Sequence, residues 1–251
     1  AVVTLAAGAS QPIISTATTL SRLTMGTGVT LTLAANGNLT LLRNSVLSGT
    51  LVIQAKSTLT VGGAASDAEL TLLNGFTNGG DVILTSASRD YSSTLSVLNG
   101  VLVNGAGRVL TIAASPVSQS VLDDSLDNLG YPLQSAAVSF ANRYLNASVS
   151  NLGTINVEES LVISATAATH ANTGIINLKQ GSLFVNQSGA SPAFTNQGVI
   201  SVSQGLTFTV NGGVFRHDGG AVAGNGNMVM QDATLDLTTH YTNNLASLTL
   251  D

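Results

Sequence analysis

Charged and aromatic side chains are scarce in this chain of 251 residues, in which charged residues make up 8% and aromatic residues 4%. They are concentrated in one stretch, which contains Asp123, Asp124, Asp127, Tyr131, Arg143 and Tyr144. Tyrosine and arginine are the residues that most often anchor protein interfaces. We therefore expect this stretch to be a partner-binding site. The alternative is an insertion that only covers part of the surface.

Calcium binding is a second chemistry that Asp123, Asp124 and Asp127 could carry. The chain has neither an EF-hand loop nor the Gly-Gly-x-Gly-x-Asp calcium repeat. A helix N-terminus with acidic residues in its first turn would explain the three aspartates equally well. We therefore predict no metal site and no cofactor.

Paired carboxylates are the groups with which most polysaccharide-cleaving enzymes work, and Glu158-Glu159 is the only adjacent glutamate pair in the chain. Adjacent residues of a strand point to opposite faces, so at most one of the two could face a groove. The chain also contains no Trp on which a sugar could stack. We predict that the protein is not an enzyme, with a polysaccharide-cleaving β-helix as a remote alternative.

A phrase that occurs three times indicates which elements must position these side chains. The sequence Asn-x-Gly-x-Ile-(Asn/Ser)-(Val/Leu) begins at Asn151, Asn172 and Asn196, and each copy is followed by a second run of β-type residues. A unit of this length cannot bury its apolar side alone and must stack on copies of itself. We predict a single all-β domain over residues 1–251, a parallel β-solenoid with an irregular excursion at about 116–146.

An antiparallel sandwich is the structural alternative, because Asn-Gly between two strand-like runs is a strong hairpin signal. The first part of the chain contains several such runs, Asn36-Gly37 among the turns between them. In a sandwich each strand has its own environment, so one phrase has no reason to recur. The recurrence favours the solenoid, in which each copy takes the same place one coil higher.

Stacking predicts where the side chains of the phrase lie. Its leading asparagines should align so that their amides bond the next coil, and left-handed backbone geometry would be tolerable there. Its isoleucines should form a buried column: Ile155, Ile176 and Ile200. With about 22 residues per coil, the chain would hold on the order of eleven coils in a rod roughly 50 Å long.

The histidines also recur at intervals close to whole coils. His170, His217 and His240 are 47 and 23 residues apart, so they could share one face and bind a metal ion. No second ligand accompanies them at a recognised spacing. Loop or surface positions are the alternative.

The sequence Thr-x-Thr occurs at 30–32, 58–60 and 207–209, each time with an apolar middle residue. If that residue points inward, both threonines point outward, as the flat threonine arrays of ice-binding solenoids require. Ordinary β-propensity on a solvent face explains the motif as well.

The charge distribution excludes some partners. The net charge is −5 and the eight basic residues are scattered singly, so we predict no binding to nucleic acid. No stretch approaches the roughly 18 apolar residues of a membrane span, and we predict no membrane insertion. Low charge and the absence of cysteine are typical of a bacterial extracellular protein.

The recurring phrase resembles the Asn-x-Gly-Thr-Ile-Asn repeats of large bacterial surface proteins, the filamentous-haemagglutinin-like and autotransporter-passenger β-helices. The connectors at 195–198 and 212–215 are similar to theirs. The resemblance is clearest over residues 147–237 and looser over 28–115. It implies a right-handed, single-stranded parallel β-helix that is exported and is secreted or located at the bacterial cell surface.

The resemblance also implies a function, that of a non-catalytic structural or adhesive module such as a stalk or an adhesin. Its partners would be glycans or proteins of a host cell surface or matrix. The alternative is a subunit of a self-assembling fibre or sheath that binds copies of itself end to end, because a solenoid end exposes unpaired strand edges. An ice-binding solenoid is a remote alternative.

Overall fold

The chain folds into a stack of parallel coils. The structure is a computed structural model, which describes residues 1–8, 10–63, 65–88, 90–115 and 141–251. These residues form strands and turns in about 10 turns of a β-solenoid, close to the number predicted. They form no helix, and so none that could cross a bilayer. The predicted all-β parallel β-solenoid is confirmed, and the antiparallel sandwich is excluded.

Each coil has three sides, which build three faces. The first face contains β1 (Val2–Leu5), β4 (Arg22–Met25), β7 (Ser45–Leu47), β10 (Ala68–Leu72), the first halves of β13 (Ser93–Asn104) and β15 (Arg143–Asn151), β17 (Leu161–Thr166), β20 (Leu183–Ser188), β23 (Thr207–Asn211), β26 (Asn227–Gln231) and β28 (Ser247–Leu250). The second face contains β2 (Ile13–Ile14), β5 (Thr30–Leu33), β8 (Thr50–Ile53), β11 (Phe76–Asn78), the second halves of β13 and β15, β18 (Thr169–Asn172), β21 (Ala193–Asn196), β24 (Val214–His217) and β27 (Thr234–Leu237). The third face contains β3 (Ala17–Leu20), β6 (Asn38–Leu41), β9 (Thr58–Gly63), β12 (Asp81–Ser86), β14 (Val109–Ile112), β16 (Thr154–Val157), β19 (Ile175–Leu178), β22 (Val199–Val202) and β25 (Ala221–Gly224).

The core is built by the alternation of apolar and polar residues along each short strand. Because successive side chains point to opposite sides, every second residue enters the interior and meets its equivalents in the coils above and below. On the third face Ile155 lies opposite Ile176 and Ile176 opposite Ile200, and their side chains are 0–2% exposed. The predicted isoleucine column is confirmed.

A ladder of buried asparagine amides runs up the second face. Asn78 Nδ2 donates to Asn104 Oδ1 at 2.9 Å, and the next three steps, through Asn151 and Asn172 to Asn196, each measure 2.8 Å. Each Nδ2 also donates to a backbone carbonyl of the next coil, at 3.0–3.4 Å. The predicted ladder is confirmed and is two coils longer than the phrase indicated. Its members are ordinary strand residues that do not use the left-handed conformation.

The glycine of the phrase is required where the corners of successive coils touch. A Cβ on Gly174 would meet the carbonyl oxygen of Gly153, and a Cβ on Gly198 would meet that of Gly174. These contacts are with backbone atoms, which cannot rotate away. Asparagine and glycine therefore recur together, because the asparagine amide bonds the corner of the next coil and the glycine leaves room for the two corners to touch.

The equivalent place in the first coils is aliphatic. We call residues 1–63 the lower coils and residues 76–202 the ladder coils. In the lower coils Ile14 lies opposite Leu33 and Leu33 opposite Ile53, and β11, which ends at Asn78, packs against β8. The same corner position is thus filled first by hydrocarbon and then by amides.

The predicted excursion falls between β14 and β15. Residues 116–140 lie outside the described residues, and past them β14 pairs with β16 without a register shift, Val109 opposite Thr154 and Ile112 opposite Val157. Residues 143–146 belong to β15. These four residues, which the prediction placed in the excursion, are thus part of the solenoid.

Candidate functional site

Arg143, a predicted partner-binding residue, is buried in the stack. Its side chain is 0% exposed and lies in an inward column opposite Ser93. Nη1 donates to the carbonyl oxygens of Ala141 at 2.8 Å and Tyr91 at 3.0 Å, and Nη2 donates to Ser115 Oγ at 2.6 Å. The guanidinium therefore joins the residues on either side of 116–140 to a corner of the preceding coil.

The buried charge of Arg143 is held by neutral hydrogen-bond acceptors. Burial lowers its pKa, and the nearby charge of Glu159 acts in the opposite direction. Among the described residues the ion pairs are Lys179–Glu158 at 3.5 Å and Arg216–Asp236 at 2.8 Å, so no carboxylate there pairs with Arg143. A buried charge held by neutral acceptors is costly to leave unpaired, so loss of these bonds would destabilise the corner formed by Tyr91, Ser115 and Ala141.

The other predicted site residues divide into two groups. Tyr144 is half-buried on the outside of the first face. The remaining four lie outside the described residues, and both their role in partner binding and their suggested calcium site stay predictions: Asp123, Asp124, Asp127 and Tyr131. The structure brings Arg143 and Tyr144 together as strand neighbours that point to opposite sides of the sheet.

Tyr144 begins an apolar strip on the outside of the first face. It lies opposite Val162, and Val162 lies opposite Phe184, whose side chain is 36% exposed. A polar column that contains Asn186 and Asn211 runs beside this strip. From β15 to β23 the outside of the first face therefore offers rings and amides without charge, a combination that sequence reasoning did not identify.

The glutamate pair is arranged for surface contacts. Glu158 and Glu159 follow β16 in a bend, so the alternation expected of strand residues does not apply to them. Glu158 pairs with Lys179, and Glu159 Oε1 accepts a hydrogen bond from the backbone N–H of Ser160 at 3.2 Å.

The three Thr-x-Thr motifs lie on three different faces. Their middle residues, Leu31, Leu59 and Phe208, are buried, so the condition for outward threonines is met. The first motif is on β5 of the second face, the second on β9 of the third face and the last on β23 of the first face. They therefore do not form one array.

His170 is a core residue. It is 0% exposed, its Nδ1 accepts a hydrogen bond from the backbone N–H of Val149 at 3.2 Å, and its ring lies 6.1 Å from that of Phe194. Burial lowers the pKa of His170 to about 4, so the imidazole is neutral at pH 7. The surface position suggested as the alternative is wrong for this histidine.

The other two histidines line a common cavity of about 190 Å³ at the corner between β24 and β25. His217 is 3% exposed and continues the column of the amide ladder, opposite Asn196. His240 is exposed. The coil-like interval between these two histidines thus did indicate proximity, whereas His170 occupies a different column. No cluster of three or more His, Cys, Asp or Glu side chains suited to a metal occurs in the described part of the chain.

The cavity contains residues that sequence reasoning missed, Tyr241 and Asn244 among them. The ring of Tyr241 packs edge-on against that of His217, with centroids 5.0 Å apart and planes at 82°. Tyr241 follows His240 directly and gave no signal of its own, because the chain between β27 and β28 has no repeat to align.

Comparisons of the chain with protein-family models, with curated proteins and with solved structures find no match.

Proposed function

We propose that this chain is a non-catalytic structural or adhesive module of a bacterial surface protein, a stiff stalk that presents binding surfaces. The observation that carries the proposal is the side-chain ladder that ties five successive coils from Asn78 to Asn196. Together with parallel backbone pairing it makes a rod roughly 50 Å long over about 10 turns. A rod of this kind would hold a binding surface at a fixed distance from the cell.

The outer surface supports a role in contact. The formal net charge is −5, and the described residues contain only two side-chain ion pairs. Charged residues make up only 8% of the chain, and the first face adds the strip around Tyr144 and Phe184. Neutral amides and rings suit glycans or proteins better than nucleic acid, whose phosphates attract basic patches.

Attachment to surfaces tests the proposal. Beads coated with the whole chain would be washed over host cells and matrix proteins, beside beads coated with a variant lacking residues 120–135 and with the double variant Tyr144→Ser/Phe184→Ser. Circular dichroism would first establish that the β-structure of both variants is intact, as expected from stacking that is local to neighbouring coils.

Each result would assign attachment to a different part of the molecule. Attachment that the deletion abolishes places the contact in the excursion, and attachment that the double variant abolishes places it on the first face. Absence of attachment, combined with rods that lengthen with concentration in electron microscopy, would favour a self-assembling fibre. Release of reducing or unsaturated sugars from a polysaccharide panel would contradict the non-catalytic proposal.

A further inference from the structure

The cavity at the corner between β24 and β25 contains buried polar groups without partners. Neither Nδ1 of His217 nor the hydroxyl of Tyr241 has a hydrogen-bond partner among the described residues, and both atoms are covered from solvent. A buried polar atom left unpaired destabilises the folded state, because it has given up its hydrogen bonds to water. Both residues line the cavity, so a turn of either ring would bring its polar atom to a molecule bound there, and the new hydrogen bond would recover part of that loss.

The lining of the cavity is neutral. It consists of His217, Gly220, Ala221, Val222, His240, Tyr241, Thr242 and Asn244, with no carboxylate, ammonium or guanidinium group. The nearest acidic side chain in sequence, Asp218, has its oxygens engaged elsewhere by Thr238 Oγ1 at 2.8 Å and Gln197 Nε2 at 2.7 Å. Burial lowers the pKa of His217, which keeps its imidazole uncharged at neutral pH.

The polar groups of the lining share one property. A neutral imidazole, a phenol, a hydroxyl and a primary amide can each both donate and accept hydrogen bonds. Such groups match the hydroxyls of a sugar, which also do both. Ala221 and Val222 add an apolar wall, and the phenol ring of Tyr241 adds surface for the C–H groups of a pyranose.

The size of the cavity limits the ligand to one ring. Its volume of about 190 Å³ is smaller than the roughly 300–1,000 Å³ of pockets that enclose drug-sized ligands. We propose that this cavity binds one neutral sugar ring, as the terminal hexose or N-acetylhexosamine of a glycan. This inference rests on the proposed adhesive function and names a ligand class and a place for it.

The three histidines allow the site to be observed directly. In the whole chain labelled on histidine, NMR would follow three imidazole signals while D-glucose, D-galactose, D-mannose and N-acetyl-D-glucosamine are added separately at constant pH. We expect one of these sugars to shift the signals of His217 and His240 in a saturable way, with a dissociation constant on the order of 1 mM. His170, buried in another column, should not move and is the internal control.

A pair of matched variants identifies the contact. Tyr241→Phe removes only the unpaired hydroxyl, so it should leave the fold intact and weaken sugar binding roughly three- to tenfold, the effect of one hydrogen bond. Tyr91→Phe is the same change at a residue that does not line the cavity, and it should leave the affinity unchanged. Equal affinities of the two variants would overturn the role assigned to the cavity.

The other outcomes are also decisive. If none of the four sugars shifts His217 or His240, the cavity is not a sugar site, and shifts caused by Zn²⁺ alone would make it a metal site instead. Surface attachment of beads is measured independently. A rod that attaches without binding sugar would retain the proposed function and lose this inference, and a rod that binds sugar without attaching would do the reverse.

Discussion

The lower coils and the ladder coils solve the same packing problem in two ways. At the corner position of the second face, Ile14, Leu33 and Ile53 fill the lower coils with hydrocarbon, whereas asparagines continue the column from Asn78 upward. Hydrocarbon packs without direction, so many apolar residues can serve there. An amide ladder is directional, because each member needs an identical neighbour above and below. Asparagine therefore recurs in every coil of the ladder, and the full phrase recurs in the last three of them.

Replacing an aliphatic residue of the lower column by asparagine should lower the free energy of unfolding more than any other change proposed here. Leu33→Asn would remove a leucine that is 0% exposed and bury an amide between two aliphatic residues. The lost packing and the unpaired amide together should lower the free energy of unfolding by about 5 kcal/mol, measured by urea denaturation. Leu33→Met keeps the volume and should cost less than about 1.5 kcal/mol. A similar cost for both variants would show that the lower column accepts amides and would erase the contrast.

The reverse exchange should cost somewhat less. Asn172→Leu would leave the Asn151 amide with only its bond to the Ile175 carbonyl and would remove the donor to Asn196 Oδ1, so we expect a loss of about 3 kcal/mol. Asn177→Leu is the matched control, because Asn177 in the same coil bonds Asn156 at 3.2 Å on the outer surface. It should cost less than about 1 kcal/mol. If the inner and outer variants unfold at the same urea concentration, the ladder contributes nothing special.

Lowering the pH should destabilise the ladder coils more than the lower coils, by a smaller free energy than the two substitutions above. The pKa of His170 is about 4 in the folded chain and about 6.5 when unfolded. Below pH 6.5 the unfolded state therefore takes up a proton that the folded state refuses until about pH 4, and stability falls as the pH falls through this window. The loss between pH 7 and pH 5 should be about 2 kcal/mol.

The lower coils contain no histidine, so hydrogen exchange at pH 5 should increase more around β18 than around β5. His170→Leu removes the titrating group and should reduce the pH dependence of unfolding between pH 5 and pH 7 by a similar amount. An unchanged slope in this variant would mean that other groups control acid unfolding.

The parts of the structure that follow from repetition were predictable. The alignment of Asn151, Asn172 and Asn196 follows from the phrase, because equal intervals place equal residues in one column. Asn78 and Asn104 escaped prediction because Gly-Gly-Asp and Gly-Ala-Gly-Arg follow them instead of the rest of the phrase. A search for asparagine followed by glycine at coil intervals, with a variable corner, would have found both.

The parts that depend on single residues were not predictable. Arg143 reads in the sequence as an exposed interface residue, and its burial depends on carbonyl groups at Tyr91 and Ala141 that only the folded corner brings together. The cavity likewise depends on Tyr241 and Asn244, which belong to no repeat. Chemistry that occurs once leaves no periodic signal.

The amide ladder also makes one section of the rod more resistant to pulling along its axis than the other. Its hydrogen bonds point along the axis, so they carry tension when the ends are pulled apart, in parallel with the backbone bonds between strands. Coils without the ladder have only the backbone bonds and their packing to resist, and they would yield at lower force. Each coil of 20 residues, such as the one from Val2 to its partner Arg22, would release roughly 70 Å of chain as it unravels. Under load the lower coils would therefore act as the extensible section and the ladder coils as the inextensible one.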